Sequence, residues 1–295
     1  MSATAKKRFA VSDEELDGLI GRYTRDITAQ DKEGKFDPIS GREEELDQMT
    51  LILLQRLRKN VMLLGPAGAG KTALFIGLAQ LINAGKVPKM LKGARLIELE
   101  MSMIGAGSSS RAELEGRLIP IIKGTAERNA VRTGPPVIFC IDEFHQLAIS
   151  FKSSSYAGIA DLLKPYLTAG DLYVVAATTR EEYEDYVMLE PAIDRRFQKI
   201  LLHVPDLEMT KSILMNLKPN FEKHYGLSIS EADCARVVKL TERYIRNRNN
   251  PDKSILALDQ ACARAIKKGV TDKLDGTSIE AAVAAEAGVD ARAVK

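Results

Sequence analysis

The chain has 295 residues and a formal net charge of +2 at pH 7, and 45% of its residues are hydrophobic. This composition is that of a globular protein long enough for one large or two modest domains; the near-neutral charge argues against direct nucleic-acid binding. Three scattered cysteines and three scattered histidines exclude a disulfide framework and a zinc cluster, and no apolar run is long enough for membrane insertion, so we expect a cytoplasmic protein.

Strand-length apolar runs alternate with helical patterns as far as residue 205. Residues 1 to about 12 read as a tail, and helices are predicted from Ser12 and over 43–58. The strand-length runs are Val61–Leu64, Leu96–Leu99, Val137–Ile141, Leu172–Ala177 and Ile200–Val204. Helical stretches lie between them, around 71–83, 111–128, 156–167 and 181–188. The alternation predicts an α/β fold: a doubly wound, parallel, five-stranded sheet with helices on both faces.

The pattern changes after Val204, because the remaining chain contains helical periodicity only. We therefore expect an N-terminal tail over 1–20, a large α/β nucleotide-binding domain over 21–205 and a small all-helical domain over 206–270. Residues 271–295 are expected to form a C-terminal extension with one short helix that begins at Ser278.

A P-loop motif joins the first apolar run to the helix that follows it. It has the spacing G-x-x-x-x-G-K-[ST] and comprises Gly65, Pro66, Ala67, Gly68, Ala69, Gly70, Lys71 and Thr72. Glycines let backbone N–H groups converge on phosphate oxygens, and the helix directs its positive end at the same anion. In such a loop Lys71 reaches the β- and γ-phosphates and Thr72 ligates Mg²⁺. The alternative, a glycine-rich turn, leaves the Gly-Lys-Thr helix start unexplained.

Two adjacent acids, Asp142 and Glu143, follow the apolar run VIFCI. Ligands of open parallel sheets bind at the carboxyl ends of the strands. There Asp142 can hold Mg²⁺ and Glu143 can polarise an attacking water. Without the P-loop, the same pair would read as a solvated strand end.

Two further pairs carry side chains that suit phosphate chemistry. Thr178 and Thr179 end the next apolar run, where a hydroxyl could contact the γ-phosphate or the water. Arg195 and Arg196 precede the last run and offer a cation that a neighbouring subunit can supply to the transferring phosphoryl group. Taken alone, the threonine pair is typical of a β-strand and the arginine pair is typical of solvent-facing charges.

From about residue 20 to 270 the chain resembles the first ATPase module of the Clp-type AAA+ unfoldases and disaggregases. GPAGAGKT is similar to the family's P-loop, IDEFHQL to its Asp-Glu-Leu-His segment, AATTREEYEDY to its sensor-1 strand and PAIDRRFQK to its arginine-finger segment. The resemblance implies an ATPase with Mg²⁺ held by Thr72 and Asp142, and with Glu143 as the residue that activates water. It assigns Thr179 to γ-phosphate sensing and Arg195 or Arg196 to a neighbour's active site.

The same resemblance implies that one segment lies beside the adenine base and that another forms the hinge of the small domain. ITAQDKEGKFDPISGREEEL is similar to the family's opening stretch, which implies that Ile39 and Ser40 lie beside the adenine. RYIRNRNNPDKSILALDQA is similar to the small-domain stretch that closes over the nucleotide, which implies that Pro251 and Asp252 lie near its hinge. The family also implies a homo-oligomeric ring, a hexamer.

The sequence departs from the family at the pore. The resemblance aligns Ser110 with the pore tyrosine of the unfoldases. Two further serines, Ser108 and Ser109, precede it. The second pore segment, SFKSSSYAG, is also serine-rich, although it contains Phe151 and Tyr156. The receptor domain and the second ATPase module of the family have no counterpart in the sequence, so we expect a single-ring protein.

Three functions fit these features. The first is a motor that remodels or assembles a specific protein complex, and the second is an ATP-gated structural component of a secretion or conjugation apparatus. The third is a loader or remodeller of nucleoprotein complexes, against which the near-neutral charge argues. Asp142 and Glu143 favour turnover over a scaffold without hydrolysis. The serine-rich pore favours a dedicated protein partner over general unfolding.

Overall fold

A computed structural model of the chain describes residues 10–108, 110–131, 134–148 and 159–295. Their Cα positions group into two compact units. The first, here called the sheet unit, comprises residues up to Phe36, Glu44–Leu64 and Phe75–Leu201. The second, here called the lid unit, comprises Asp37–Glu43, Gly65–Leu74 and Leu202–Lys295. The P-loop therefore belongs to the same compact unit as the helices that follow residue 202.

The sheet unit is built on one sheet with the strand order β1-β3-β4-β5-β2-β6. Its strands are β1 Arg25–Asp26, β2 Asn60–Leu64, β3 Arg95–Glu98, β4 Val137–Ile141, β5 Tyr173–Thr178 and β6 Phe197–Leu201. The five strands β2, β3, β4, β5 and β6 are all paired in parallel with their neighbours among these strands. This confirms the predicted parallel five-stranded core. The two-residue β1 adds an antiparallel edge to β3 and was not predicted, because two residues carry no periodic signal.

The last strand lies three residues earlier in the chain than its apolar pattern suggested. β6 is an edge strand that pairs with β2 alone, and Gln198 and Lys199 lie within it. A sheet edge tolerates polar side chains, so β6 lacks the continuous apolar run that identifies β2, β4 and β5. The apolar run that begins at Ile200 instead continues beyond Leu201, the last residue of the strand.

Helices connect and cover the strands. They are α1 Asp13–Tyr23, α2 Ile27–Lys32, α3 Glu43–Leu53, α4 Lys71–Asn83, α5 Met101–Gly105, α6 Arg111–Val131, α7 His145–Ala148, α8 Ile159–Ala169, α9 Arg180–Glu182 and α10 Pro191–Asp194. A 3₁₀ turn spans Lys89–Leu91 and a π-helical turn spans Tyr183–Val187. The helix predicted from Ser12 begins where expected, because the Ser12 side chain accepts a hydrogen bond from the Glu15 backbone N–H.

The core of the sheet unit explains why the central strands read as unbroken apolar runs. All five residues of β2 are buried, and Met62, Phe139 and Val174 are fully inaccessible on neighbouring strands. Each fully buried large apolar side chain contributes about 1.5–3 kcal/mol relative to an exposed one. Such a core holds the carboxyl ends of β2, β4 and β5 in fixed register at one edge of the sheet.

Four helices form the body of the lid unit: α11 Leu207–Tyr225, α12 Glu231–Tyr244, α13 Asp252–Lys267 and α14 Gly276–Ala287. A 3₁₀ turn follows at Ala291–Ala293. Leu214, Val237, Leu258 and Ile279 belong to one apolar cluster that draws on all four helices. None of the helices in the described part of the chain is long and apolar enough to cross a membrane.

Helix α14 begins two residues before the predicted Ser278 because Asp275 caps it. The Asp275 carboxylate accepts hydrogen bonds from the Ser278 backbone N–H and from both the Ser278 and Thr277 hydroxyls. Burial opposes ionisation, but these hydrogen bonds lower the pKa of Asp275 to about 2. Gly288 ends the helix in the left-handed conformation at φ +67°.

Candidate functional site

The P-loop has a backbone that only glycine accommodates without strain at two of its positions. Gly68 and Gly70 have φ values of +76° and +95°. A Cβ on Gly68 would lie 3.0 Å from the Cβ of Asp252. The Lys71 ammonium donates to the carbonyls of Gly65 at 2.8 Å and Pro66 at 3.0 Å, so it lies against the loop at the start of α4. Glycines with positive φ and one ammonium at a helix start are features that a phosphate-binding loop requires.

Arg42 fastens the predicted adenine-binding segment to the P-loop. Its Nη2 donates to the carbonyl oxygens of Ala69 at 2.7 Å and His203 at 2.9 Å, and its side chain is buried. Ile39 and Ser40 precede it in the chain and are both half-buried. Sequence reasoning did not single out Arg42, because an arginine after a glycine reads as a solvated charge.

Helix α11 holds the same segment from its other end. Asn216 Nδ2 donates to Ser40 Oγ at 2.9 Å, and Asn220 Nδ2 donates to Asp37 Oδ1 at 2.6 Å. The two asparagines are one helical turn apart, so a single face of α11 makes both contacts. The residues predicted to line the base are therefore fixed within the lid unit.

The turn before α13 also lies against the P-loop. Asn249 Nδ2 donates to the Ala67 carbonyl at 3.0 Å, and the next peptide bond, Asn250–Pro251, is cis. Buried Asn250 accepts a hydrogen bond from Ser254 Oγ at 2.7 Å and donates to Glu242 at 3.2 Å. Pro251 and Asp252, predicted at the lid hinge, thus lie in a turn fixed by buried polar contacts.

Lys253 reinforces this turn from inside the lid unit. Its side chain is 6% exposed, and Nζ lies 2.7 Å from the Glu242 carboxylate and 3.0 Å from the Ile245 carbonyl. A buried ammonium is tolerated only when its donors are satisfied in this way. This pair could not be predicted from the sequence, since Glu242 is on α12 and has the pattern of a surface charge.

In the sheet unit, Asp142 and Glu143 follow β4 directly, at the carboxyl edge of the sheet. Glu143 has φ +48° and is the one non-glycine residue with positive φ in the described ranges. Such strain persists where the surrounding structure imposes it, and it is common at functional sites. Asp142 Oδ1 accepts from the Glu143 backbone N–H at 2.9 Å, and the Glu143 carboxylate accepts from the Gln146 amide.

These acids line a cavity of about 410 Å³ together with Glu98 and Glu100. Burial raises the pKa of Glu98, the Arg25 guanidinium 3.3 Å away opposes the rise, and the charges of Glu100 and Asp142 add to it. A neighbouring carboxylate raises the pKa of an acid because it disfavours a second negative charge. Carboxylate oxygens are ligands that Mg²⁺ prefers, but no group of three or more acidic, histidine or cysteine side chains in the described ranges is placed to hold a metal ion by itself.

The two threonines at the end of β5 have different environments. Thr178, the last residue of β5, is buried; its hydroxyl donates to Glu182 at 2.9 Å and lies 2.9 Å from His145 Nδ1. Thr179 lies just past the strand, where its hydroxyl accepts from the Glu182 backbone N–H and caps α9. Burial would raise the pKa of Glu182, but hydrogen bonds from both threonines hold it below its usual value.

The arginine pair lies at the opposite ends of the strands from Asp142 and Glu143. Arg195 and Arg196 follow α10 and precede Phe197, the first residue of β6, which pairs with Asn60 at the start of β2. Arg195 is exposed and Arg196 is half-buried. The structure thus puts both arginines at the amino-terminal ends of the strands, whereas Asp142, Glu143 and Thr179 follow carboxyl ends.

Two family models match the chain in succession. The model of the ATPase family associated with various cellular activities (AAA) matches residues 61–203, and the AAA lid domain model matches residues 206–291. The chain belongs to the AAA ATPase family. The predicted AAA+ core with a helical lid is thereby confirmed.

Relatives and solved structures that are similar to this AAA module include ClpB and Hsp104. Chaperone protein ClpB from Meiothermus ruber is 40% identical over 245 residues, which are 83% of this chain and 28% of ClpB. The S. cerevisiae Hsp104–ADP complex superposes with a TM-score of 0.82 at 33% identity, covering 94% of this chain and 46% of Hsp104. The S. cerevisiae Hsp104–casein complex gives a TM-score of 0.80 at 32% identity, covering 92% and 45%.

These matches confirm the resemblance to a Clp-type AAA+ module that the motifs indicated. The chain spans about a third of the length of the curated relatives it matches, 28% of the ClpB from Meiothermus ruber and 32% of the ClpB from Dichelobacter nodosus. The similarity therefore concerns one AAA module of a longer relative.

Proposed function

We propose that this AAA module binds and hydrolyses ATP with Mg²⁺, assembles into a homo-oligomeric ring and remodels a specific protein partner. The observation that carries the proposal is the convergence of three distant segments in the lid unit. Arg42 and Asn249 both donate to carbonyls of the P-loop, at Ala69 and Ala67, so the predicted adenine segment and lid hinge adjoin the phosphate loop.

The roles of the residues follow from their chemistry. The P-loop amides and Lys71 would hold the β- and γ-phosphates, with the base beside Ile39 and Ser40. Thr72 and Asp142 would hold Mg²⁺, which neutralises phosphate charge when it is bound. Glu143 would accept a proton from the attacking water, since its carboxylate follows the carboxyl end of a strand. Thr179 is proposed to sense the γ-phosphate.

The position of Arg195 and Arg196 supports action on a second copy of the chain. β2 and β6 pair in register from Asn60 and Phe197 to Leu64 and Leu201, a span of about 13 Å. The P-loop is bonded to Leu64, at the far end of β2 from the arginines. An arginine at this edge is suited to a nucleotide held by a neighbour, as in a ring, and we propose a hexamer.

A single substitution in the P-loop tests nucleotide binding. Lys71→Ala should weaken ATP binding about a hundredfold, because about 3 kcal/mol of charge-assisted hydrogen bonding is lost. Titration with a fluorescent ATP analogue measures the change, and Lys86→Ala, an exposed lysine beyond the end of α4, is the matched control. Equal affinity in Lys71→Ala and Lys86→Ala would refute the assignment of the phosphate site.

The proposed partner is a polypeptide, in line with the casein bound by the yeast relative. The near-neutral charge of the chain disfavours a nucleic-acid partner. A pull-down with Glu143→Gln, which should retain ATP and stay bound to its partner, identifies the protein. Capture that is equal with and without ATP would count against ATP-dependent engagement.

The pore segment in this chain offers little apolar surface for pulling. Ser108 Oγ donates to the Gly105 carbonyl at 2.7 Å, and Ser110 Oγ accepts from the Glu113 backbone N–H at 3.3 Å at the start of α6. Both hydroxyls therefore shape the local backbone. Ser109, Phe151 and Tyr156 lie outside the described residues. A serine in place of an aromatic ring forgoes roughly 2–3 kcal/mol of possible contact per subunit.

We therefore expect ATP hydrolysis without processive unfolding of a tagged, stably folded fluorescent protein. Ser110→Tyr, which restores one aromatic ring per subunit, should gain unfolding activity at an unchanged hydrolysis rate. Loss of reporter fluorescence with the native sequence would contradict the weak-pore proposal. If that loss vanished in Tyr156→Ala and survived in Ser110→Ala, the second pore segment would be the gripping element.

A further inference from the structure

Four arginines line one cavity at the amino-terminal edge of the sheet unit. The cavity has a volume of about 410 Å³; Arg56 and Arg58, which precede β2, line it with Arg195 and Arg196. The end of α8 and the residue after it, residues 168–170, form another part of its wall. Arg56 and Arg58 lie in a segment of the sequence that carries no motif, so the cavity adds two cations to the predicted arginine pair.

The segment that carries Arg56 and Arg58 is fastened to the start of β6. Gln198 Nε2 donates to Gln55 Oε1 at 2.6 Å and to the Arg58 carbonyl at 2.5 Å. Arg58 Nη2 donates to the carbonyl of Phe197, the residue after Arg196, at 3.3 Å. The relative positions of Arg58 and Arg196 are therefore set by hydrogen bonds and not by chance proximity.

The charge of the cavity is largely uncompensated. Asp194 is the acid next to the pair, but it bonds to Lys199 at 2.7 Å and to the Tyr183 hydroxyl. Burial would raise the pKa of Asp194; those two hydrogen bonds, with the charge of Arg58, lower it instead. Within the described ranges, Nε of Arg196 is buried and has no hydrogen-bond partner. A buried guanidinium N–H without an acceptor calls for an explanation, and a bound anion is one that would supply the acceptor.

The chemistry of the site selects a compact polyanion. Four guanidinium groups in one concavity repel each other in the free chain and attract an anion with several charges. Guanidinium groups pair with phosphate oxygens through two parallel hydrogen bonds, which suits adjacent phosphate groups. A second copy of this chain would carry such groups on the nucleotide in its P-loop.

We propose that Arg56 and Arg58 complete the arginine site that receives the terminal phosphates of ATP held by a second copy of the chain. This inference rests on the proposed function and deepens it. Arg58 is a positioning residue, since it fixes the backbone next to Arg196. Arg56 adds charge to the same cavity and attracts the neighbour's phosphates.

The test compares Arg56→Ala/Arg58→Ala with Arg22→Ala, which removes an exposed arginine of α1 in the same unit. The double variant should lower ATP turnover per chain about tenfold, or about 1.4 kcal/mol, and raise the protein concentration that gives half-maximal turnover. ATP affinity should equal that of the wild type. Arg56→Lys/Arg58→Lys should recover most of the concentration dependence, because the charge is retained.

Turnover of the double alanine variant equal to that of Arg22→Ala would overturn the inference. If Arg195→Ala/Arg196→Ala still reduced turnover in that case, the proposed function would stand and this extension alone would fail. A wild-type chain without turnover would contradict both.

A second arm distinguishes a neighbour's nucleotide from a free anion. Inorganic triphosphate is titrated calorimetrically into Lys71→Ala chains with and without the Arg56→Ala/Arg58→Ala changes. Binding that depends on these arginines, combined with unaffected turnover, would identify a free-anion site and overturn the proposal. Equal, weak binding to both chains, combined with the loss of turnover, supports the neighbour's nucleotide as the ligand.

Discussion

Glu143→Gln should bind ATP with the affinity of the wild type and hydrolyse it about a thousandfold more slowly. The amide has the shape of the carboxylate and can still contact Gln146, so the turn after β4 should keep its backbone. It cannot accept a proton from water, which removes the general base. Single-turnover hydrolysis measures the chemical step, and a filter-binding titration measures ATP affinity in parallel.

The matched control for this prediction is Glu181→Gln, which neutralises an exposed glutamate of α9 in the same unit. It should hydrolyse ATP at the rate of the wild type. Normal turnover in Glu143→Gln would remove Glu143 from the mechanism, and the strained φ of +48° at this residue would need another cause.

Replacing both arginines before β6 should have an effect at least as large. Arg195→Ala/Arg196→Ala is expected to lower turnover about 10³-fold or more, because a trans-acting arginine stabilises charge on the transferring phosphoryl group. ATP affinity should be spared, since the pair lies at the amino-terminal edge of the sheet, at the opposite end of β2 from Leu64. The single variants show which arginine makes the larger contribution.

Subunit mixing separates action in trans from action within one chain. Lys71→Ala chains retain the arginines, and Arg195→Ala/Arg196→Ala chains retain the P-loop, so an interface between them contains one complete site. A mixture of the two inactive variants should therefore regain part of the turnover. No recovery, together with activity from a monomer, would show that the arginines act within their own chain.

The sequence predicted those parts of the site that are local in the chain. The P-loop, Asp142 and Glu143 each follow a buried strand, and a strand end followed by glycines or acids is visible in one dimension. The parallel core could be predicted for the same reason, since β2, β4 and β5 are continuous apolar runs.

The contacts that join these parts could not be predicted, because they connect residues far apart in sequence. Arg42 donates to a carbonyl 27 residues away and Asn249 to one 182 residues away. Both side chains bond to backbone carbonyls, and a carbonyl gives no signal in a sequence. The position of Arg56 beside Arg196 depends in the same way on the pairing of β2 with β6.

Thr179 shows a different limit of sequence reasoning. Two adjacent threonines at a strand end look alike in the sequence, but Thr178 is buried against His145 whereas Thr179 caps α9. The role of Thr179 as γ-phosphate sensor stays a prediction. Thr179→Ser, which keeps a hydroxyl cap, offers a milder change than alanine for its study.

We propose that this AAA module hydrolyses ATP at a site completed by a second copy of the same chain. The most direct measurement is ATP turnover per chain across a dilution series of the wild-type protein at saturating ATP and Mg²⁺. Turnover should rise with protein concentration to a plateau, in parallel with the assembled fraction. Turnover that is absent at every concentration, or is the same from monomer to assembly, would contradict it.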